Sequence, residues 1–307
     1  MFRASAPGSL MLLGEYAVLH GYPAVVCAID KRIHVTLTPR DDMCVILDSA
    51  LGHHETTLSQ LEVVTPFQFV LETVYTFKKK LRQGFHLHIE SEFSDTVGFA
   101  SSAAVTVATT AVLSEWLALS LSKNEMIQKA RDIVYAVQGS GSGADVAACV
   151  SGGLVFYRKE PFIAETRAIQ HPMTVVYSGH KTPTPIAIQQ VEKRFLSYPV
   201  LFSNLMKAIG ACVEQGFEAL KQHDWQVLGE MMTVQQGLMD ALGVNTAAMN
   251  GIIHLLRQEP ALSGVKISGS GFGDCVVALG ECSAQLPNGA KQIRINMASE
   301  GVRIEKI

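Results

Sequence analysis

Charged residues are scarce in this chain, at 17% of its 307 residues; the net charge is −3 and the one basic run is Lys78-Lys79-Lys80. A nucleic-acid partner requires a basic stripe or patch, so this scarcity argues against one, and the triplet reads as the solvated end of a helix. The six cysteines, at 27, 44, 149, 212, 275 and 282, include no CxxC pair. That spacing indicates neither a zinc site nor a disulfide framework, and a reduced, cytosolic compartment is expected. Also missing is the cationic start of a secretory signal, since only Arg3 precedes an apolar run broken by Glu15 and several glycines. The segment from Ala103 to Leu121 has the length of a membrane span, but Glu115 and several Ser/Thr residues interrupt it. It therefore reads as a buried helix of a soluble, cytoplasmic protein with no membrane partner. Two nucleotide signatures are absent as well. There is no GxxxxGK[ST], because Gly179-His180-Lys181-Thr182 has the wrong spacing before it, and there is no protein-kinase set with its DFG aspartate. No internal repeat or low-complexity tract is visible.

With 48% hydrophobic residues over this length, the chain suits two packed domains better than one. Strands are expected at Leu10–Leu13, Ala24–Ile29 and Ile33–Leu37, separated by turn-prone Gly14, Gly21-Tyr22-Pro23 and Pro39-Arg40-Asp41-Asp42. A helix follows at 67–81, a strand at 85–90, the apolar helix from 103 to 116, a helix at 124–137 and a strand at 154–157. Arg158-Lys159-Glu160-Pro161 and His171-Pro172 mark a boundary, giving domains 1–168 and 169–307. The second opens with a strand at 174–177 and is helical from about 186 to 258. Strands at 265–267 and 275–279 come next, then a short helix near 285–299 and a last strand at 302–304. The pattern is mixed α+β.

Four segments concentrate glycine, serine and small residues: Ala6-Pro7-Gly8-Ser9, Gly98-Phe99-Ala100-Ser101-Ser102-Ala103-Ala104, Gly139–Asp145 and Ser268–Asp274. The second lies between a strand and a helix. A helix start carries open N–H donors and the positive end of the helix dipole, which together attract phosphate. Taken alone, Ser101 and Ser102 suit a plain N-cap on a core helix better than an anion site, and Asp145 equally suits an N-cap after a glycine turn. A tight turn explains any one glycine loop. Four such loops, two of them beside a helix start or a strand pair, point to a phosphate-rich ligand.

Ala6-Pro7-Gly8, Gly14-Glu15-Tyr16-Ala17-Val18-Leu19-His20-Gly21, the 98–104 loop, Ser142-Gly143-Ala144-Asp145 and Gly269-Ser270-Gly271-Phe272-Gly273 resemble, in order and spacing, the motifs of the GHMP small-molecule kinases. Within that family the wording is most similar to members that phosphorylate mevalonate, with those that phosphorylate phosphomevalonate close behind. The resemblance implies an N-terminal domain like ribosomal protein S5 domain 2 and a ferredoxin-like C-terminal domain. It implies a mevalonate-pathway kinase, serving isoprenoid precursor synthesis, that uses ATP and Mg²⁺, with room for a homodimer. ATP would be bound by Gly98, Phe99, Ala100, Ser101, Ser102 and Ala103, with Gly269 and Gly271 closing over it and Mg²⁺ near Ser102. The acceptor would meet Glu15, Tyr16, His20, Ser142, Gly143 and Phe272, and Asp145 would take the proton of its hydroxyl.

Several positions depart from the family pattern. Ser9 stands where these kinases carry a lysine beside the catalytic aspartate, with Lys181 and Lys266 as substitutes to consider. Val134 stands where some carry a Mg²⁺-binding glutamate, and Asp132, two residues away, belongs to another helix face. Ala100 replaces a glycine, and Phe272-Gly273-Asp274 replaces a glycine triplet. The alternatives are therefore a phosphomevalonate kinase, or a nucleotide-binding homologue that has lost turnover.

Overall fold

The first two strands, β1 (Phe2–Leu13) and β2 (Ala24–Pro39), form a long antiparallel pair. The computed structural model to which they belong describes residues 1–94, 96–282, 286 and 289–306. The expected strands at 24–29 and 33–37 are one continuous strand. The charged interruption Asp30-Lys31-Arg32 is carried by the ladder, because Arg32 donates to the carbonyls of Ser5 at 2.8 Å and Gly301 at 2.7 Å. Leu10 and Leu12 face one core cluster and Met11 the other. Being buried on both faces explains why the second half of β1, Leu10–Leu13, reads as an unbroken apolar run.

The sheet extends through β5 (Phe85–Ser91) to a hairpin of β3 (Cys44–Ser49) and β4 (Gly52–Thr57) that sequence pattern did not anticipate. β6 (Leu154–Arg158) pairs with β2 and with β7 (Ile163–Arg167). Four helices accompany this sheet: α1 (Gln68–Phe77), α2 (Ser101–Trp116), α3 (Lys123–Gln138) and α4 (Ala144–Ser151). Between Ala103 and Ser114, α2 is buried almost all round. A reciprocal Ser122–Glu125 capping box starts α3, and Gly139 at φ +68° ends it.

The second half builds an antiparallel sheet in the order β11 (Lys291–Ile293), β8 (Met173–Tyr177), β10 (Cys275–Leu279), β9 (Ser263–Ser268). With it go α5 (Thr184–Phe195), α6 (Pro199–Lys221), α7 (Trp225–Leu242) and α8 (Ala247–Leu256). The helix expected near 285–299 is absent from the described residues; 283–285, 287 and 288 lie outside them. Instead β11 pairs with the edge of β8, and Met297 bridges Ile29. Tertiary partners claimed this stretch: the N–H of Asp30 donates to the carbonyl of Asn296, and that of Ala298 to the carbonyl of Ala28, each over 2.8–2.9 Å. The closing strand β12 (Arg303–Lys306) then pairs with β1, so it sits in the first sheet. A shared core joins the halves, with Leu10, Leu12 and Val25 of the first sheet against Val213 and Phe217 of α6 and Val277 of β10. Among the described residues no helix is long and apolar enough to cross a membrane.

Candidate active site

The register of β1 against β2 slips between Pro7 and Ser9. Gly8 sits at that bulge because an added Cβ would lie 2.8 Å from the Phe99 carbonyl oxygen, which accepts the N–H of Ser9 at 3.1 Å. Bulges re-aim side chains, and here the Ser9 hydroxyl donates to Asp145 Oδ1 at 2.8 Å. Asp145 lies in the first turn of α4, behind the left-handed Gly143 at φ +90°. A side chain at Gly143 would strike Arg131 and the Tyr157 hydroxyl. That hydroxyl donates to the Ser142 carbonyl at 2.7 Å, and Ser142 Oγ accepts the N–H of Ala144 at 3.2 Å. This turn is thus held from below by packing and from within by hydrogen bonds. Burial pushes the Asp145 carboxyl above its ordinary value; the Ser9 hydroxyl and the positive charge of Lys181 pull it partway back.

The start of α2 carries no side-chain cap. Its N-cap residue is Ala100, held in the left-handed region at φ +54°, ψ +46°. Ser101 and Ser102 are the first helical residues, so the reading of them as cap residues is set aside. With nothing from the cap residue to occupy the first-turn N–H groups, they and the dipole present a donor surface. Phe99 is 1% exposed and stacks edge-on against Phe93 at 5.8 Å, anchoring the loop in the core; its ring faces inward.

Across from this loop, Asp274 brings its carboxylate against Gly98, where an added Cβ would lie 2.2 Å from either oxygen. The N–H of Gly98 holds that carboxylate, although burial raises its pKa overall. Gly269 at φ +88° has open space over its Cα, whereas Gly271 packs on Val244. Phe272, at φ +57°, packs partly into the helical core of the second half, and its carbonyl accepts the Thr182 hydroxyl at 2.9 Å.

Glu15 is buried, at 2% exposure, and forms an ion pair with fully buried Lys266. Gln235 donates to its other oxygen, and the N–H of Gly269 approaches the first at 3.4 Å. Lys266 also donates to the Ile267 carbonyl, which leaves it committed here and not at Asp145. The Tyr16 hydroxyl donates to the Ser270 carbonyl at 2.6 Å, and burial raises its pKa. His20 lies edge-on to Phe202 of α6 with ring centroids 5.0 Å apart. The structure therefore brings together Ser9, Asp145, the 98–103 loop and the 269–274 loop. Glu15 and Tyr16 lie beneath the latter, and His20 turns to α6. Val134 is packed on the core, and Asp132 is paired outward with Arg131 at 2.9 Å, so neither replaces a metal-binding glutamate. Sequence reasoning did not find the Asp274–Gly98 contact; an acid within a glycine loop was its one signal.

Two family models match the chain: GHMP kinases N terminal domain over residues 68–153 and GHMP kinases C terminal over residues 217–299. The mevalonate kinase of Pyrococcus furiosus is 30% identical, across 99% of this chain and 98% of that protein. The Lin0012 protein from Listeria innocua has the same fold at TM-score 0.88 and 19% identity, with 99% of each chain covered. Streptococcus pneumoniae phosphomevalonate kinase, in complex with phosphomevalonate and AMPPNP, superposes at TM-score 0.78 and 18% identity, covering 92% of this chain and 93% of that one. This chain belongs to the GHMP kinase family. It has the two-domain fold of that family and is an ATP-dependent small-molecule kinase.

Proposed function

We propose that the chain transfers the γ-phosphoryl group of ATP to the primary hydroxyl of mevalonate. The observation that carries this reading is the Ser9–Asp145 hydrogen bond beside the uncapped start of α2, in a chain 30% identical to a mevalonate kinase over its full length. Asp145 takes the hydroxyl proton. The hydroxyl oxygen then forms its bond to the γ-phosphorus as the bond from that phosphorus to the ADP oxygen breaks. A carboxylate whose pKa burial raises above its ordinary value is a stronger proton acceptor than a free one, which suits a general base. The main-chain donors at Ser101, Ser102 and Ala103 would hold phosphate oxygens, while Gly269, with no side chain above it, allows close approach from the other side.

No group of three or more His, Cys, Asp or Glu is gathered for a metal among the described residues. Mg²⁺ is commonly carried largely by substrate phosphates and waters, so it needs few protein ligands. Ser102 would hold the ion, and its chemistry there is to neutralise the phosphate oxygens. In this reading residues 1–168, joined by the closing strand, carry the phosphate loop and base, and the half from 169 supplies the facing loops.

Phosphomevalonate is the second candidate acceptor, and Gly273-Asp274-Cys275 favours it by wording. An acceptor phosphate calls for spare cations. Arg3 pairs with Glu90 and Arg32 is committed to backbone carbonyls, which favours mevalonate, whose accepting end is a neutral hydroxyl rather than a phosphate. ADP release with Mg·ATP, measured in parallel on the two acceptors, decides between them. Turnover on mevalonate supports the reading. Turnover on phosphomevalonate alone replaces it, and silence on both with ATP still bound marks another acceptor or a retired kinase.

A further inference from the structure

Phosphoryl transfer calls for a protein cation at the moving phosphoryl group beside the charge that Mg²⁺ would bring, and the dipole of α2 supplies only about half a charge. Ser9 contributes no charge, and Lys266 is committed to Glu15. The Lys181 ammonium comes from the loop between β8 and α5, on the other half of the chain. It reaches the Val97 carbonyl at 3.5 Å, one residue before Gly98 of the phosphate loop. Its segment is stitched alongside the 272–274 turn by three bonds. The N–H of Asp274 donates to the His180 carbonyl at 2.5 Å, that of Ser178 to the Asp274 carbonyl at 2.8 Å, and Thr182 Oγ1 to the Phe272 carbonyl at 2.9 Å. Two carboxylates feel its charge, those of Asp145 and Asp274. It therefore stands among the phosphate loop, the proposed base and the closing turn.

We propose that Lys181 is the protein's own cation at this site: supplied from the second half, it binds the γ-phosphoryl group beside Asp145. This rests on the kinase reading above. It assigns the chemistry to a position distant in sequence from the Ala-Pro-Gly motif. The groups facing Asp145 are Ser9 of β1, Cys149 one turn along α4, and Lys181. Cys149 has its thiol pushed far up by burial and stays neutral, so Lys181 is the one full positive charge among the three.

The test uses the full chain with Lys181→Gln and Lys181→Arg. Calorimetry with Mg·AMPPNP and Mg·ADP reads the nucleotide independently of any acceptor. Lys181→Gln should lose about tenfold in affinity for AMPPNP and keep ADP within about twofold, because one charge-assisted contact to the γ-phosphate is gone. Retained ADP binding also reports a folded protein. Lys181→Arg should keep both affinities. Equal loss for both nucleotides, or no loss, overturns the proposal. With mevalonate, Lys181→Gln should lower kcat by about 10²-fold with acceptor KM within about threefold. It should also move the acid limb of the pH–rate profile to higher pH, since loss of a neighbouring positive charge raises the carboxyl further. An acid limb that does not move also overturns it. A wild-type enzyme silent on mevalonate counts against the acceptor, and the nucleotide affinities still judge Lys181.

Discussion

The Ser9 hydroxyl and the Asp145 carboxylate meet at 2.8 Å although 136 positions separate them in sequence. A β-bulge aims the first and a left-handed glycine turn aims the second, so their alignment is set by backbone geometry rather than by flexible side chains. Asp145→Asn should leave nucleotide affinity within a few-fold and cut turnover by about 10²-fold or more, as expected for a lost general base. Because burial raises the carboxyl's pKa, the folded state favours the protonated form. The associated stability is present below the ordinary carboxyl range and is lost as pH rises through the raised value. The Asn variant should therefore melt no lower than wild type at neutral pH; a lower Tm there would contradict the assigned burial.

Ser102→Ala should raise the Mg²⁺ concentration needed for half-maximal rate while leaving the fold intact, since only the Ser102 carbonyl serves the helix, accepting from Thr106 at 2.7 Å. A magnesium titration of the two proteins checks this, and coincident curves would remove Ser102 from the metal site.

Lys266→Met should destabilise the protein by about 3–5 kcal/mol, because it leaves the Glu15 carboxylate buried without its cation. Adding Glu15→Gln should recover much of that loss, as both charges are then gone. Denaturant midpoints of the two single variants and the double variant measure it. Full additivity would mean the pair is not coupled.

Gly98→Ala should weaken nucleotide binding, because its Cβ would displace the Asp274 carboxylate that the Gly98 N–H holds. Asp274→Gly in the same chain should restore affinity by removing the obstacle. Fluorescent nucleotide titrations give both numbers, and an unaffected single variant would show that the carboxylate moves freely.

The strand, small-residue loop and helix around residues 98–104 were legible in sequence because their signals are local, and the phosphate role proposed for that loop rests on them. Neighbours in space but not in sequence were not legible. Glu15 stands in a motif that implies an acceptor contact, yet it is neutralised by Lys266, which lies 251 positions away. The trace of that pair in the sequence was a lysine inside the short apolar strand Val265-Lys266-Ile267. The β3–β4 hairpin escaped notice because β4, Gly52-His53-His54-Glu55-Thr56-Thr57, is polar and largely exposed, and its order comes from pairing with β3. The false helix near 285–299 fell to the free edge of β8 and to partners on β2, neither visible from local propensity.

The return of β12 to β1 makes the second half an insertion tethered at both ends: one crossing leaves β7 and another re-enters through Met297 and Ala298. A body fastened by two adjacent cords can rock toward its neighbour but cannot swing away from it. Proteolysis at the crossing around His171-Pro172 should therefore yield two fragments that migrate together through a sizing column. The cut would loosen one cord, while the ladder from Phe2 to Ser5 and the shared core still hold both pieces.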